Sequence, residues 1–540
     1  MRGSGNQESV ATDEDTTFQV IVLGSTGGPR EDIVTGLLAR STATKWSKDS
    51  VVAVDGGTLL AGISRIFERD MPDLGENEQS KGGKAVMAQG PFAGLELPNL
   101  TTHANAAHVF RNLIASVLVT HPHLDHVSGL AMNTPLVEAE SGPKAVAALP
   151  STIAALRNHI FNDITWPNLS DEDGGAGLIT YQRLVDGGNP RLGRGEGRGY
   201  VKACEGIITK CLSISHGRCG QRYNPDTGKH HRAESTVFAT ESFFLPSRRV
   251  SIDTQEPSSY TPTTQHLSVN SNRNTPTALA TVESSAFFLR ETHTGTEIII
   301  FGDMEPDSIS LEPRNEKIWD AAAPKIVSGT LRAIFVECSF PDSVDDNSLY
   351  GHLCPRHLIA ELKVLAGKVL DAHKPHNVAR EMRKRKRWGS DIIAHDSRGS
   401  VSPKSQPPQQ STSPSPSRRR ATRRTASRHE DDMSSRTVGE TTPPPPSSGP
   451  HITHDDNNHH QQHHNPDNTP TERRSSNANS GMQLCLSLST LKVFIIHIKE
   501  SFTDGPHPRD QILKELRKQA EDAGLGCEFY APLSGEAVFV

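Results

Sequence analysis

The chain has 540 residues, 34% of them hydrophobic, with 43 Gly, 36 Pro and a formal charge of −6 at pH 7. A charge this small for the length excludes a global electrostatic grip on nucleic acid or anionic membrane, and no run approaches the about 18 apolar residues of a membrane-spanning helix. The apolar deficit is concentrated in separate stretches, which predicts one large folded domain with disordered insertions rather than several average domains.

Met1 to Thr17 is polar and acidic, without the apolar core of a signal peptide, and is expected to be a disordered leader of a soluble chain. Phe18–Gly24 is a short β-rich run entering Ser25-Thr-Gly-Gly-Pro29. Neither Gly-x-Gly-x-x-Gly nor Gly-x4-Gly-Lys is present, so these glycines read as a tight turn rather than a phosphate cradle. Ser50–Asp55 is a second strand, and its terminal Asp55 either caps a turn or supports a site from behind. Residues 73–90 read as a Gly-rich polar loop.

Leu113–Thr120 is an apolar β-rich run that leads directly into His121-Pro-His-Leu-Asp-His126. Residues two apart on an extended segment point the same way, so His121 and His123 can reach one cation while Asp125 and His126, on the following turn, face a second. A lone His-x-His is more often a surface cluster. Packing alone gives no reason to group four metal-competent side chains at one strand end.

Residues 130–156 mix Ala, Val and Leu at loosely helical spacing and are expected to form helices over a sheet. Cys211–Ser215 is β-like and delivers His216 at its end, a third ligand for the first cation. Residues 221–284 are rich in Ser, Thr, Asn, Pro and Arg, interrupted by the more ordered-looking Ser235–Pro246, and most of the interval reads as an insertion. Ala286–Arg290 and Glu297–Asp303 then form two strands joined by a turn at Thr292-His-Thr-Gly295. Asp303 is either a helix cap or a carboxylate that bridges two cations. Leu331–Glu337 is a strand with an acidic end, and Gly351–Leu358 opens a helix running to about Val369.

Residues 381–480 carry a basic run, Arg383–Arg387, Pro-rich tracts and a His-rich tract, the composition of a disordered insertion. Leu491–His497 is a strand with a terminal histidine, 510–524 a helix ended by Gly524, and 526–540 closes the sheet. The domain plan is thus a leader at 1–17, a catalytic domain at 18–380 and 481–540, and the insertion at 381–480. The seven cysteines, at 204, 211, 219, 338, 354, 485 and 527, include no Cys-x-x-Cys pair, which fits a reducing compartment. The expected location is cytoplasmic, with nuclear import through the basic run as an additional route.

In these segments the chain resembles the class II 3′,5′-cyclic-nucleotide phosphodiesterases of the metallo-β-lactamase superfamily, in particular fungal-type low-affinity cAMP enzymes. The resemblance rests on His121–Gly129, Ile160–Leu169 (IFNDITWPNL), Ser215–Gly217, Ala286–Leu289, Phe301–Ser308 (FGDMEPDS), Phe335–Phe340, Gly351–Pro355 and His497–Lys499. It implies an α/β fold, a four-layer αββα sandwich with long disordered insertions. It also implies two Zn2+ ions, one on His121, His123 and His216, the other on Asp125, His126 and His497, with Asp303 across both. Related RNA-processing nucleases imply a catalytic pair in Glu337 and His352, although Cys354 replaces the Thr of the usual His-Leu-Thr-Pro segment.

The implied reaction is hydrolysis of cAMP, and of cGMP if accepted, to 5′-nucleoside monophosphates. An RNA 3′-end-processing nuclease is the nearest rival, but the one strong basic run lies in the insertion rather than on a polymer-gripping surface. A catalytically inactive scaffold is the other, weakened by the complete ligand set. Arg419-Arg-Ala-Thr422 and Arg473-Arg-Ser-Ser476 place hydroxyls behind paired arginines, a pattern open to a kinase acting on the insertion.

Overall fold

The computed structural model describes residues 16–71, 85–138, 142–233, 279–373 and 487–540. All of them fall in one compact unit formed by Met1–His376 and Ser476–Val540, so the C-terminal segment folds with the body that precedes it in sequence. The insertion expected at 381–480, the leader before residue 16 and the loop at 73–84 lie outside the described residues.

Two seven-stranded sheets form the centre. In the first the order is Glu536–Phe539, Phe18–Gly24, Gly36–Ser41, Val51–Val54, Ile114–Leu118, Lys144–Ala148, Ile179–Arg183, antiparallel as far as Val51–Val54 and parallel beyond. In the second it is Glu528–Tyr530, Lys492–Ile496, Leu331–Glu337, Glu297–Phe301, Ala280–Glu291, Ile207–Cys219, Val201–Cys204, parallel for the first four and antiparallel after. The last 15 residues therefore close both sheets, one strand each.

Side chains alternate across a strand, so Phe18, Val20 and Val22 face one way and Ile21 and Leu23 the other. Both sets are buried, which is why the strand reads as an unbroken apolar run. The first set packs between the sheets against Phe287, Leu289, Ile298, Ile300 and Phe335. The second packs outward against Ile63, Ile66 and Phe67 of the helix Leu60–Asp70 and Val127 and Leu130 of the helix Leu124–Asn133. In the other sheet Ile299, Phe301 and Ile334 meet Trp319, Leu358 and Ile512 from the helices Asn315–Val327, Pro355–His373 and Pro508–Ala523. Three cores separate four layers, the expected αββα order.

The last helix ends as its sequence predicts: Gly524 adopts φ +65° and its N–H donates to the Ala520 and Glu521 carbonyls. Two expectations are corrected. The stretch 130–156 is not helical throughout, since Lys144–Ala148 is an interior strand paired on both sides; tertiary pairing overrides the helix preference of its alanines. The region read as an insertion from 221 to 284 begins with an antiparallel hairpin, Gln221–Asn224 with Lys229–Arg232, and ends inside the strand Ala280–Glu291. Residues 234–278 lie outside the described residues.

Candidate metal centre

Parallel strands from both sheets bring their C-terminal ends together. Asp55 follows Val51–Val54, and the loop Thr120–His123 follows Ile114–Leu118 and leads into the helix Leu124–Asn133, whose first turn carries Asp125 and His126. Asp303 follows Glu297–Phe301, Glu337 ends its own strand and His497 follows Lys492–Ile496. His216 comes from the antiparallel strand Ile207–Cys219, where the ladder slips between His216 and Arg218 around Gly217 at φ +61°. Asp55 and His497 themselves have φ +58°, a left-handed conformation uncommon outside glycine, and both sit at this centre.

Seven side chains converge as two donor groups that share Asp303. His121, His123, His216 and Asp303 form one, and Asp125, His126, His497 and Asp303 the other. In the first, His123 Nδ1 lies 3.0 Å from His121 Nε2 and 3.3 Å from His216 Nε2. Asp303 Oδ2 is 3.6 Å and 3.7 Å from those two Nε2 atoms. In the second, His497 Nε2 lies 3.1 Å from His126 Nε2 and 3.2 Å from Asp125 Oδ2. Asp303 Oδ1 is 3.2 Å from both imidazoles. Each oxygen of Asp303 thus faces a different group.

The tautomers follow from what holds the far side of each ring. His216 Nδ1 donates to the Gly351 carbonyl at 2.8 Å, and His126 Nδ1 to Asp55 Oδ2 at 2.8 Å. Thr120 Oγ1 gives its proton to Asp55 and accepts from His121 Nδ1 at 3.1 Å. Ser339 Oγ, with the acceptors Glu337 Oε2 at 2.5 Å and His497 O at 2.8 Å, accepts from His497 Nδ1 at 3.1 Å. Four Nε2 lone pairs therefore point inward at one another and at carboxylates. Such a set repels itself unless a cation lies among its members, and nitrogen and carboxylate donors suit zinc or a similar divalent ion.

Electrostatics point the same way. Burial lowers the pKa of His121 and His497 and takes His216 down to about 3, which leaves neutral imidazoles. Burial opposes charge on Asp303 too, but His497, His126 and His121 outweigh it and hold the carboxyl well below its usual range. At His126 burial is overcome by Asp303 and Asp55, which hold its pKa well above the ordinary value. The carboxylates on either side of that ring therefore hold a proton on His126 that a divalent ion would displace, since neutral His with ionised Asp is the state such an ion requires.

Next to the first group, His352 Nδ1 lies 3.0 Å from Glu337 Oε1 and 3.7 Å from Asp303 Oδ2. Burial takes His352 down to about 4, and burial together with Asp303 raises Glu337 to about 7. The Met304 N–H donates to Glu337 Oε1 at 2.8 Å, which fixes the carboxyl directly after Asp303 in the chain. Cys354 is buried and directs its Sγ toward His357 Nδ1 at 3.5 Å.

Every side chain singled out in the sequence is thus brought together: His121, His123, Asp125, His126, His216, Asp303, Glu337, His352 and His497. Of the two readings of Asp303, helix capping is excluded, because Asp307 instead accepts from the first N–H groups of the helix Asn315–Val327. The supporting atoms on Thr120, Ser339 and Gly351 were not legible, since their partners lie far away in sequence or are backbone. Gly27, in the Ser25–Pro29 turn, is another: a Cβ there would lie 2.3 Å from the His497 ring.

Comparison with known proteins identifies the lineage. The chain is 25% identical over 359 residues to a 3′,5′-cyclic-nucleotide phosphodiesterase of Schizosaccharomyces pombe, covering 66% of this chain and 77% of that one. It is 26% identical over 376 residues to a 3′,5′-cyclic-nucleotide phosphodiesterase of Candida albicans, covering 65% and 82%. The crystal structure of unliganded yeast PDE1 superposes with a TM-score of 0.53 at 19% identity, covering 97% of this chain and all of that one, so the two share the metallo-β-lactamase fold. The family described as cAMP phosphodiesterases class-II matches residues 83–196 and 200–378. With that match extending over more than half of its length, this chain belongs to the class-II cAMP phosphodiesterases.

Proposed function

We propose that the protein is a metal-dependent phosphodiesterase that hydrolyses 3′,5′-cyclic nucleotides to nucleoside 5′-monophosphates at this centre. The observation that carries the reading is the pair of donor groups sharing Asp303, within a chain whose relatives are named for that reaction. His121, His123 and His216 would hold one divalent ion, zinc by donor type, and Asp125, His126 and His497 a second, with Asp303 across both. Such ions supply Lewis acidity to a phosphodiester and to an attacking water.

The chain's own residues do the rest. Asp55, Thr120, Ser339 and the Gly351 carbonyl hold the imidazoles in the inward-facing tautomer, so little reorganisation accompanies reaction. Asp303 orients the attacking water between the two groups. As that water bonds to phosphorus and the bond from phosphorus to the 3′ oxygen breaks, the departing oxygen needs a proton. His352 supplies it from Nε2 while Glu337, whose raised pKa of about 7 lets it hold a proton, passes that proton to Nδ1; one proton of the attacking water then restores Glu337 and the other stays on the product phosphate.

The test is hydrolysis of cAMP, cGMP and a short RNA by purified protein, with metal content measured and a chelator added. Cyclic-nucleotide turnover that the chelator abolishes is expected, and turnover of RNA alone would overturn the reading. Asp303→Ala is expected to lose both metal and turnover. His352→Ala is expected to keep its metal and lose about 10²- to 10⁴-fold in kcat. Full activity in His352→Ala would remove it from the mechanism.

A further inference from the structure

A cleft of about 240 Å³ opens beside the donor groups, lined by His123 and by Gln221, Tyr223 and His230 of the hairpin Gln221–Asn224/Lys229–Arg232. One wall is the strand Ala280–Glu291, in which Val282 stands opposite His216 and Glu283 opposite Ser215. The cleft therefore shares His123 with the first donor group and lies across the ladder from His216.

Its lining combines aromatic faces with unused polar atoms. Tyr223 and His230 are register partners on the hairpin with ring centroids 5.4 Å apart, and the His159 ring lies 6.1 Å from His230. His230 Nδ1, Thr152 Oγ1 and Thr281 Oγ1 are buried without a hydrogen-bond partner. Ser151 and Glu283, by contrast, are bonded to each other, and Glu283 also accepts from Arg314 at 3.0 Å. Leaving a buried polar atom unpaired costs about 1–3 kcal/mol, which a ligand that pairs it recovers.

We propose that this cleft is the nucleobase subsite: with the cyclic phosphate at the donor groups, the base, one ribose away, lies among the Tyr223, His230 and His159 rings, its polar edge on Thr152, Thr281 and His230 Nδ1. The inference rests on the phosphodiesterase reading of the centre. Sites for drug-sized ligands occupy about 300–1,000 Å³, so this volume suits a flat base rather than a whole nucleotide. A base presents π faces together with an edge of N–H donors and ring-nitrogen acceptors. Threonine hydroxyls can donate or accept and so meet either kind of edge atom. Burial lowers the His230 pKa, which keeps its ring neutral near pH 7 and leaves Nδ1 free to take either role.

The test uses the full-length protein and adenosine, which carries a base but no phosphate and so reports binding without turnover. Saturation-transfer NMR is expected to detect adenosine on the wild type. His230→Ala and Tyr223→Ala are expected to weaken that binding about fivefold or more, the loss of one stacking contact. In hydrolysis of cAMP the same variants raise KM by more than they lower kcat. Lys229→Ala, on the hairpin but not lining the cleft, is expected to bind adenosine like the wild type. No adenosine binding by the wild type, unchanged binding in both aromatic-ring variants, or equal weakening in Lys229→Ala overturns the assignment. Failure of the activity reading is distinguishable, because it shows as absent hydrolysis by the wild type while adenosine binding is measured independently.

Discussion

Asp55 is 1% exposed, and its carboxylate accepts from the Thr120 N–H at 2.8 Å, the Thr120 hydroxyl and His126 Nδ1. One buried charge thus sets the orientation of two imidazoles, His126 directly and His121 through Thr120. Asp55→Asn keeps the shape but removes the charge and turns an amide N–H₂ toward donors. Divalent-metal affinity is expected to fall about 10- to 100-fold, read by chelator competition. A second residue gives a pH signature away from the centre. Lys144 is buried, donates Nζ to the Ile114 carbonyl at 2.5 Å, and burial lowers its pKa to about 8 despite the attraction of Asp49. Between that value and the ordinary lysine pKa the unfolded chain binds a proton that the folded chain does not, so stability rises with pH across this window. Relative to Lys144→Met, the wild type is expected to gain up to about 3 kcal/mol from below pH ~8 to above pH ~10.5, measured by urea unfolding.

Among the elements, the strand carrying His216 and the loop carrying His352 touch through two glycines. Gly351 has φ +85°, and a Cβ there would lie 2.4 Å from Gly217 Cα and 3.2 Å from the His216 carbonyl carbon. Its own carbonyl holds His216 Nδ1. Gly351→Ala is therefore expected to displace His216 and His352 together, weakening metal binding about tenfold or more, by the same competition assay. The same substitution at Gly367, inside the helix Pro355–His373 with nothing within 4 Å of the added Cβ, is expected to raise stability by about 0.5–1 kcal/mol. Opposite signs for one chemical change follow from where each glycine sits. The strand ends were legible because apolar runs stop at metal-competent residues. The strand Lys144–Ala148 and the hairpin at 221–232 were not: alanine carries helix propensity, and a polar hairpin has the composition of an insertion until its partner strand is seen.

At the scale of the whole molecule, the donor residues run from 121 to 497 and come from both sheets. An ion held by them would tie together the two halves of the sandwich and the C-terminal segment, so its binding would favour the folded chain. Stripping divalent metal with a chelator is expected to lower Tm by about 3–4 °C for each site, since a site filled at 100 times its Kd contributes about 2.7 kcal/mol and a folded body of this size unfolds with an entropy of about 0.7 kcal/mol/K. Adding zinc back is expected to restore Tm in scanning calorimetry. His497 lies beyond the matched family segments, which end at residue 378, yet it completes the second donor group.

Read alone, the chain already gives the candidate ligand types, their place at strand ends and the alternation that builds a double sandwich. These are local properties: side-chain chemistry, strand period and capping act over a few residues. Only the tertiary structure decided which nitrogen of each imidazole faces inward, that Asp303 divides its oxygens between two groups, and that Asp55, Thr120, Ser339 and Gly351 hold the rings from behind. Those depend on contacts between residues as far apart as 126 and 497, and hydrogen-bond direction at that range is set by how the two sheets pack.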